Sequence, residues 1–176
     1  MGKLDGLTVI ELAVLVAVAS ILAAATVPAL RGLILDVRMT RQVNAFVHSI
    51  HLAKQEAHKQ TRYVAICKSP DGRQCQHSAA WREGWMVFVN SDRDEPPQVD
   101  AGERVLQVIA RYKGGGIGAN RSSFVFRPFQ VRSTNGTVVF CDARGRDAAK
   151  AIVVSYTGRP RLVNGEKLTS GVICQT

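Results

Sequence analysis

Gly6-Leu7-Thr8-Val9-Ile10-Glu11-Leu12-Ala13-Val14-Leu15-Val16-Ala17-Val18-Ala19-Ser20-Ile21-Leu22-Ala23-Ala24-Ala25-Thr26-Val27-Pro28-Ala29-Leu30 is the stretch that decides how the rest of the chain is read. From Leu12 to Leu30 it carries no charge. As a helix, those residues rise roughly 29 Å, close to the ~30 Å hydrocarbon thickness of a bilayer. One carboxylate, Glu11, stands at the head of the apolar run.

Three readings compete for this stretch. A secretory signal peptide would use Lys3 as its charged start and be cut near Ala23–Ala25. Glu11 intrudes on such a segment, and the run is long for one. A plain membrane anchor leaves Glu11 without a role. The third reading keeps the helix and removes only what precedes it. Gly6-Leu7-Thr8-Val9-Ile10-Glu11-Leu12 resembles the type IV prepilin motif, a glycine and an apolar residue followed by Thr-Leu-Ile-Glu. Leu7 stands where that family usually has Phe, and Val9 where it has Leu; both keep the site apolar. The resemblance implies a leader of residues 1–6, cleavage after Gly6 by a prepilin peptidase, and N-methylation at Leu7. It also implies a helix over 7–30 that sits in the inner membrane and later in a filament. Glu11 gains a partner in that setting, the α-amino group of Leu7 of its own or a neighbouring chain. It needs one, because a carboxylate at a helix centre in a membrane costs about 2.5–3.5 kcal/mol.

Beyond the helix, 176 residues leave length for one tethered domain with a modest core. The net charge of +9 is unevenly placed. Met1 to Glu103 holds 11 basic and 11 acidic residues, whereas Arg104 to Thr176 holds 12 basic and three acidic ones, Asp142, Asp147 and Glu166. Such asymmetry points to a polyanion or an acidic partner surface.

Residues 31–62 continue as an amphipathic helix. Val43, Phe46, Val47, Ile50, Ala53 and Ala57 recur at spacings of three and four and form one apolar stripe. Pro28 removes a backbone hydrogen bond just before this part and is expected to bend the helix. After Thr61 the period changes. Tyr63–Lys68, Gly84–Asn90, Arg104–Arg111, Ser122–Arg127, Thr137–Asp142, Lys150–Thr157 and Pro160–Asn164 read as short strands. Between them lie turn-forming clusters such as Ser69-Pro70-Asp71-Gly72 and Asn135-Gly136. The fold class is therefore α+β, with the helix stripe laid on a β-rich head over 63–176.

The four cysteines, Cys67, Cys75, Cys141 and Cys174, are an even set in a domain read as exported, which favours disulfides with three possible connectivities. Cys67 and Cys75 bracket a polar turn and are the local pair; Cys141 would then meet Cys174. A zinc site from Cys67, Cys75 and His77 lacks any C-x-x-C spacing. His48, His51 and His58 share a helix face but have only Glu56 nearby, and Asp92, Asp94 and Glu95 do not match a calcium loop. No metal and no cofactor is expected.

Two further blocks carry a family likeness. Cys67-x-Ser69-x-Asp71-Gly72-x-x-Cys75 is followed by Trp81-x-x-Gly84-Trp85-x-Val87-Phe88. Phe140-Cys141-Asp142-x-Arg144-Gly145 is followed by Val153-Val154-Ser155-x-Thr157-Gly158-Arg159-Pro160-Arg161. Together they resemble the minor pilins and pseudopilins of the FimT/GspH type. That resemblance implies a long N-terminal helix on a β-rich head, with other major and minor pilins as partners.

No catalytic set is present: no G-x-S-x-G, no H-E-x-x-H, and no phosphate-loop Lys-Ser/Thr after the glycines of 113–118. Those glycines read as a flexible connection. Gly158-Arg159-Pro160-Arg161 is the sharper candidate. Arginines at i and i+2 of a strand or tight turn point to one side and present forked donors to phosphates. The pattern resembles the DNA-binding motif of FimT-type pilins used in natural transformation, which implies that Arg159 and Arg161 contact DNA, without reading its sequence. Lys150, Arg144, Arg146 and Lys167 join them by charge and nearness in sequence alone. The expectation is a non-enzymatic minor pilin that binds DNA during uptake. A structural minor pilin without DNA binding, and a type II secretion pseudopilin, are the alternatives.

Overall fold

The computed structural model describes residues 8–129 and 132–165, apart from the side chains at 25 and 27–29. The chain divides into two compact units, Met1–Val37 and Arg38–Thr176. One helix, α1 (Val9–Gln60), contributes to both.

In the first unit, the helix begins with a reciprocal cap. The Thr8 hydroxyl accepts from the Glu11 backbone N–H at 3.4 Å, and Glu11 Oε2 accepts from the Thr8 backbone N–H at 3.4 Å. Thr-x-x-Glu is the capping-box spacing, in which each side chain satisfies a backbone donor the helix cannot. Glu11 therefore has a structural task at the start of the helix that the motif alone did not suggest. Ser20 and Thr26 turn their hydroxyls back onto the carbonyls of Val16 and Leu22, at 2.7 and 2.9 Å. The apolar side chains Ile10, Leu12, Leu15, Val18, Ile21 and Leu22 are all exposed. Among the described residues, no helix is long and apolar enough to cross a membrane. Four side chains of the Leu12–Leu30 run lie outside them.

In the second unit, the helix stripe does what its spacing demands. Val43, Phe46, Ile50, Ala53 and Ala57 are buried, Val47 is partly so, and Met39 extends the stripe by one turn. The helix stops at Gln60, and Thr61 takes a left-handed conformation (φ 54°) as the chain leaves it.

The strands are β1 (Tyr63–Lys68), β2 (Gly84–Asn90), β3 (Val105–Ala110), β4 (Gly116–Ala119), β5 (Ser123–Phe126), β6 (Gly136–Cys141), β7 (Lys150–Val154) and β8 (Pro160–Asn164). They form two four-stranded sheets, β3-β2-β1-β5 and β4-β6-β7-β8, with every pairing antiparallel. The β-rich head expected under the helix is thus built from two sheets.

Phe46 joins them. It meets Trp85 of β2 at 5.4 Å, Phe124 of β5 at 5.8 Å and Phe140 of β6 at 6.1 Å, each edge to face. Truncating such a side chain to alanine costs about 3–5 kcal/mol. The buried Trp85 indole donates to Ser49 Oγ at 3.0 Å, so its polar atom is satisfied by the helix it packs against.

The outer face of the first sheet carries Ala65, Cys67, Met86, Phe88 and Val125. Cys75 packs there and closes the Cys67–Cys75 disulfide, with Cα atoms 5.6 Å apart. These two sulfurs are therefore not zinc ligands. Cys141 is buried at the end of β6. Cys174 lies outside the described residues, as do Gly6, Leu7 and Lys167.

The glycine-rich stretch departs from expectation. Gly116–Ala119 is not a flexible connection but β4, paired with β6 from Gly116↔Cys141 to Ala119↔Val138. Just ahead of it, a Cβ on Gly115 would stand 1.9 Å from the Cys141 carbonyl oxygen. The glycine is there so that two backbones can touch. Predicted strand Lys150–Thr157 also ends early, at Val154, because Ser155 begins a tight turn.

Candidate nucleic-acid interface

The turn between β7 and β8 is held from inside. The Ser155 N–H donates to the Arg159 carbonyl at 3.1 Å, and the Gly158 N–H donates to the Ser155 carbonyl at 2.9 Å. Ser155 Oγ accepts from the Arg159 N–H at 3.2 Å. Gly158 is buried with φ 67°, and a Cβ on it would lie 3.0 Å from the Phe126 ring. Glycine is thus required twice, for its backbone angle and for contact with the core.

Arg159 and Arg161 leave this turn exposed, and neither has an ion-pair partner among the described residues. Arg159 belongs to the turn and Arg161 to the strand, so strict alternation does not relate them. Arg161 stands opposite Val153. Its face is the one that carries Ala151 and Val163, the outer side of the second sheet.

The structure does not gather the other basic candidates here. Lys150 alternates with Arg161, on the face of Ile152 and Val154, and its Nζ donates to Thr40 Oγ1 of α1 at 2.9 Å. Arg144 and Arg146 lie in the connection from β6 to β7, at the other end of the β7–β8 hairpin. A five-residue strand separates the two ends by about 17 Å. Arg144 is bound to Asp142 by a fork, with Nη2 to Oδ2 at 2.7 Å and Nε to Oδ1 at 3.1 Å. Asp142 is buried, and its carboxyl is held below the usual carboxylate range, chiefly by the Arg144 side chain against the opposing effect of burial.

Other residues do converge on the turn. The Ser133 N–H donates to the Tyr156 carbonyl at 2.9 Å, which draws the segment after β5 against it. The Arg132 guanidinium lies 5.3 Å from the centre of the exposed Tyr156 ring. Lys54 and His58 of α1 line the same hollow of about 510 Å³, together with Arg127, Arg132, Tyr156 and Thr157. Arg127 is held by Glu95 at 3.0 Å. Sequence reasoning missed Lys54, His58, Arg132 and Tyr156. They come from three separate segments, and the aromatic at position 156, one residue before Thr157-Gly158, was the available signal. Cations around an exposed aromatic ring suit a nucleic-acid strand, whose phosphates and base faces need both.

The metal candidates disperse. His48 Nδ1 faces Gln107 Nε2 at 3.3 Å, while His58 lines the hollow. Among the described residues, Asp92, Asp94 and Asp100 bring carboxylates within 4.8 Å of one another, and Glu95 is not one of that group. The Asp100 carboxyl is pushed up, first by burial and then by hydrogen bonding and charge from Asp92.

The family model for type II transport protein GspH matches residues 42–158. The match stops at Gly158, so Arg159 and Arg161 lie just beyond it. None of the curated proteins matches the chain. Among solved structures, the fold is similar to the type IV minor pilin FimU of Pseudomonas aeruginosa strain PAO1. In one crystal form the TM-score is 0.53 at 16% identity, covering 73% of this chain and 90% of that one. In a second the TM-score is 0.49 at 18% identity, covering 72% and 91%. The helix on antiparallel sheets is thus the type IV pilin fold, and over most of its head the chain belongs to the GspH family.

Proposed function

We propose that the protein is a minor type IV pilin that binds DNA during uptake. It is made with the leader Met1–Gly6, cut by a prepilin peptidase, N-methylated at Leu7, and held in the inner membrane by its apolar helix until it enters a pilus. Its partners are then other pilins and DNA. Support for the assembly half comes from the charge-free run Leu12–Leu30 and from the exposed apolar side chains of the helix, which need an apolar surrounding. Cleavage after Gly6 would bring a new α-amino group next to Thr8 and its partner Glu11, which can then exchange its cap for an ion pair.

One observation carries the DNA half. Among the described residues, Arg159 on the turn and Arg161 just after it on β8 are exposed and have no carboxylate partner, and they stand beside a hollow lined by Lys54, His58, Arg132 and Tyr156. With about four phosphates engaged, the salt slope on a duplex would be near −3.6, a loss of about 10²-fold between 50 and 200 mM. The affinity of one head would be modest, and many heads on a filament raise it by avidity. The test is titration of a labelled oligonucleotide with the full chain in detergent, salt varied. Binding that ignores salt, or that survives Arg159→Gln/Arg161→Gln unchanged, removes the DNA half and leaves the pilin half standing.

A second reading, a pseudopilin of type II secretion, is favoured by the match to the family of type II transport protein GspH. Isolation of the assembled filament separates the two: the chain travels with type IV pilus subunits in one case and with secretion pseudopilins in the other.

A further inference from the structure

At the other end of the second sheet from Arg159, a second basic cleft surrounds Tyr112. Two hollows meet there, of about 610 and 720 Å³, and both are lined by Arg111, Tyr112, Lys113 and Gly114. Arg82 borders the first, and Arg38 and Arg41 of α1 border the second. None of these five cations, Arg38, Arg41, Arg82, Arg111 and Lys113, has a carboxylate partner among the described residues. Asp142, the acid on the first hollow, already holds the Arg144 fork. Like charges gathered in a concave site, with no spare acid among the described residues, favour a counter-anion.

Two orphan polar groups point the same way. Tyr112 is 7% exposed, and its hydroxyl has no hydrogen-bond partner among the described residues. Gln42 Nε2 is buried and equally unpartnered, and Gln42 shares the second hollow with Tyr112. Buried polar groups are nearly always satisfied, so two orphans beside one cationic hollow call for an acceptor from outside. Gly114 lies over the phenol: a Cβ there would come within 2.7 Å of the hydroxyl oxygen. Burial and the nearby Asp142 also push the phenol up, which keeps it protonated as a donor.

We propose that this cleft binds a phosphate group, using Arg111 and Lys113 as charges and the Tyr112 hydroxyl as a buried donor. The phosphate belongs either to a nucleic-acid backbone or to inorganic phosphate. The inference does not rest on the DNA reading of the Arg159 turn, because it uses none of that turn's residues.

The test uses the full chain in detergent at constant ionic strength. Inorganic phosphate is titrated by calorimetry, and a labelled single-stranded oligonucleotide by anisotropy. Arg111→Gln/Lys113→Gln is expected to weaken binding about tenfold or more, as loss of hydrogen bonds to a charged group does. Tyr112→Phe is expected to weaken it severalfold with an unchanged or higher melting temperature, because among the described residues its hydroxyl has no partner to lose. Loss of oligonucleotide binding in these variants, beyond any loss seen in Arg159→Gln/Arg161→Gln, assigns the backbone as source. Loss of phosphate binding alone assigns inorganic phosphate. If the cleft variants bind both probes like the parent, the site does not exist. If polyglutamate of matched charge binds the cleft more tightly than either, its ligand is an acidic protein and the phosphate assignment is wrong.

Discussion

Arg161 and Lys150 stand on neighbouring strands of one hairpin and face opposite sides of it: Arg161 is paired with Val153 on the outer side, while Lys150 is bonded to Thr40 beneath. Charge and sequence nearness made them equivalent; the two-residue period of a strand does not. Arg161→Gln and Arg159→Gln are each expected to lower the affinity for a duplex and to reduce the salt slope by about 0.9 per phosphate lost. Lys150→Gln should leave both unchanged. Anisotropy titrations at several salt concentrations make the comparison.

Gly158→Ala tests whether the turn's rigidity matters. The φ of 67° is unfavourable to any side chain, and the new Cβ would press on Phe126. A loss of about 1–2 kcal/mol is expected. Thermal unfolding should show it, and DNA affinity should fall although no charge has changed.

The Cys67–Cys75 disulfide closes a short loop, with a sequence separation of 8, over the outer face of the first sheet. Loop-closure entropy alone sets its contribution at about 2.5 kcal/mol. Cys67→Ser/Cys75→Ser should lower the denaturation midpoint accordingly, while leaving oligonucleotide binding as it was.

Acid stability reports on Asp142. Its folded-state carboxyl is depressed by Arg144, so the contribution is present above the ordinary aspartate value of about 3.9 and is lost as pH falls through the lower folded value. Arg144→Gln should be less stable at pH 7, by about 1–3 kcal/mol for a buried carboxylate left short of donors. The gap to the parent should shrink as pH falls below about 4 and close under the lower folded value. Denaturant unfolding at pH 7 and pH 3 decides it.

The helix stripe was legible in the sequence because Phe46, Ile50 and Ala53 obey a period that depends on nothing outside the helix. The strands were legible where Val, Ile and Phe mark them. β4 was not, because Gly116 and Gly118 have no side chains to signal a strand; what places them is their pairing with Cys141 and Val139 of β6. The division into two sheets also escaped, since it depends on Phe46 meeting aromatics from both. At the candidate site, Arg159 and Arg161 could be read from four consecutive residues. Lys54, His58 and Arg132 could not, because only the fold brings the helix and the segment after β5 to one hollow. The Arg144 fork was hidden for a different reason: a charged residue two positions from an acid looks free until the acid is seen to be buried.

The most direct test is the mature N-terminus. The chain should be recovered from membranes and from sheared filaments, and its first residue read by mass spectrometry. The expected result is N-methylated Leu7, with Glu11 and the whole apolar run retained. A start near Ala23–Ala25, or an intact Met1 in filaments, would contradict a pilin.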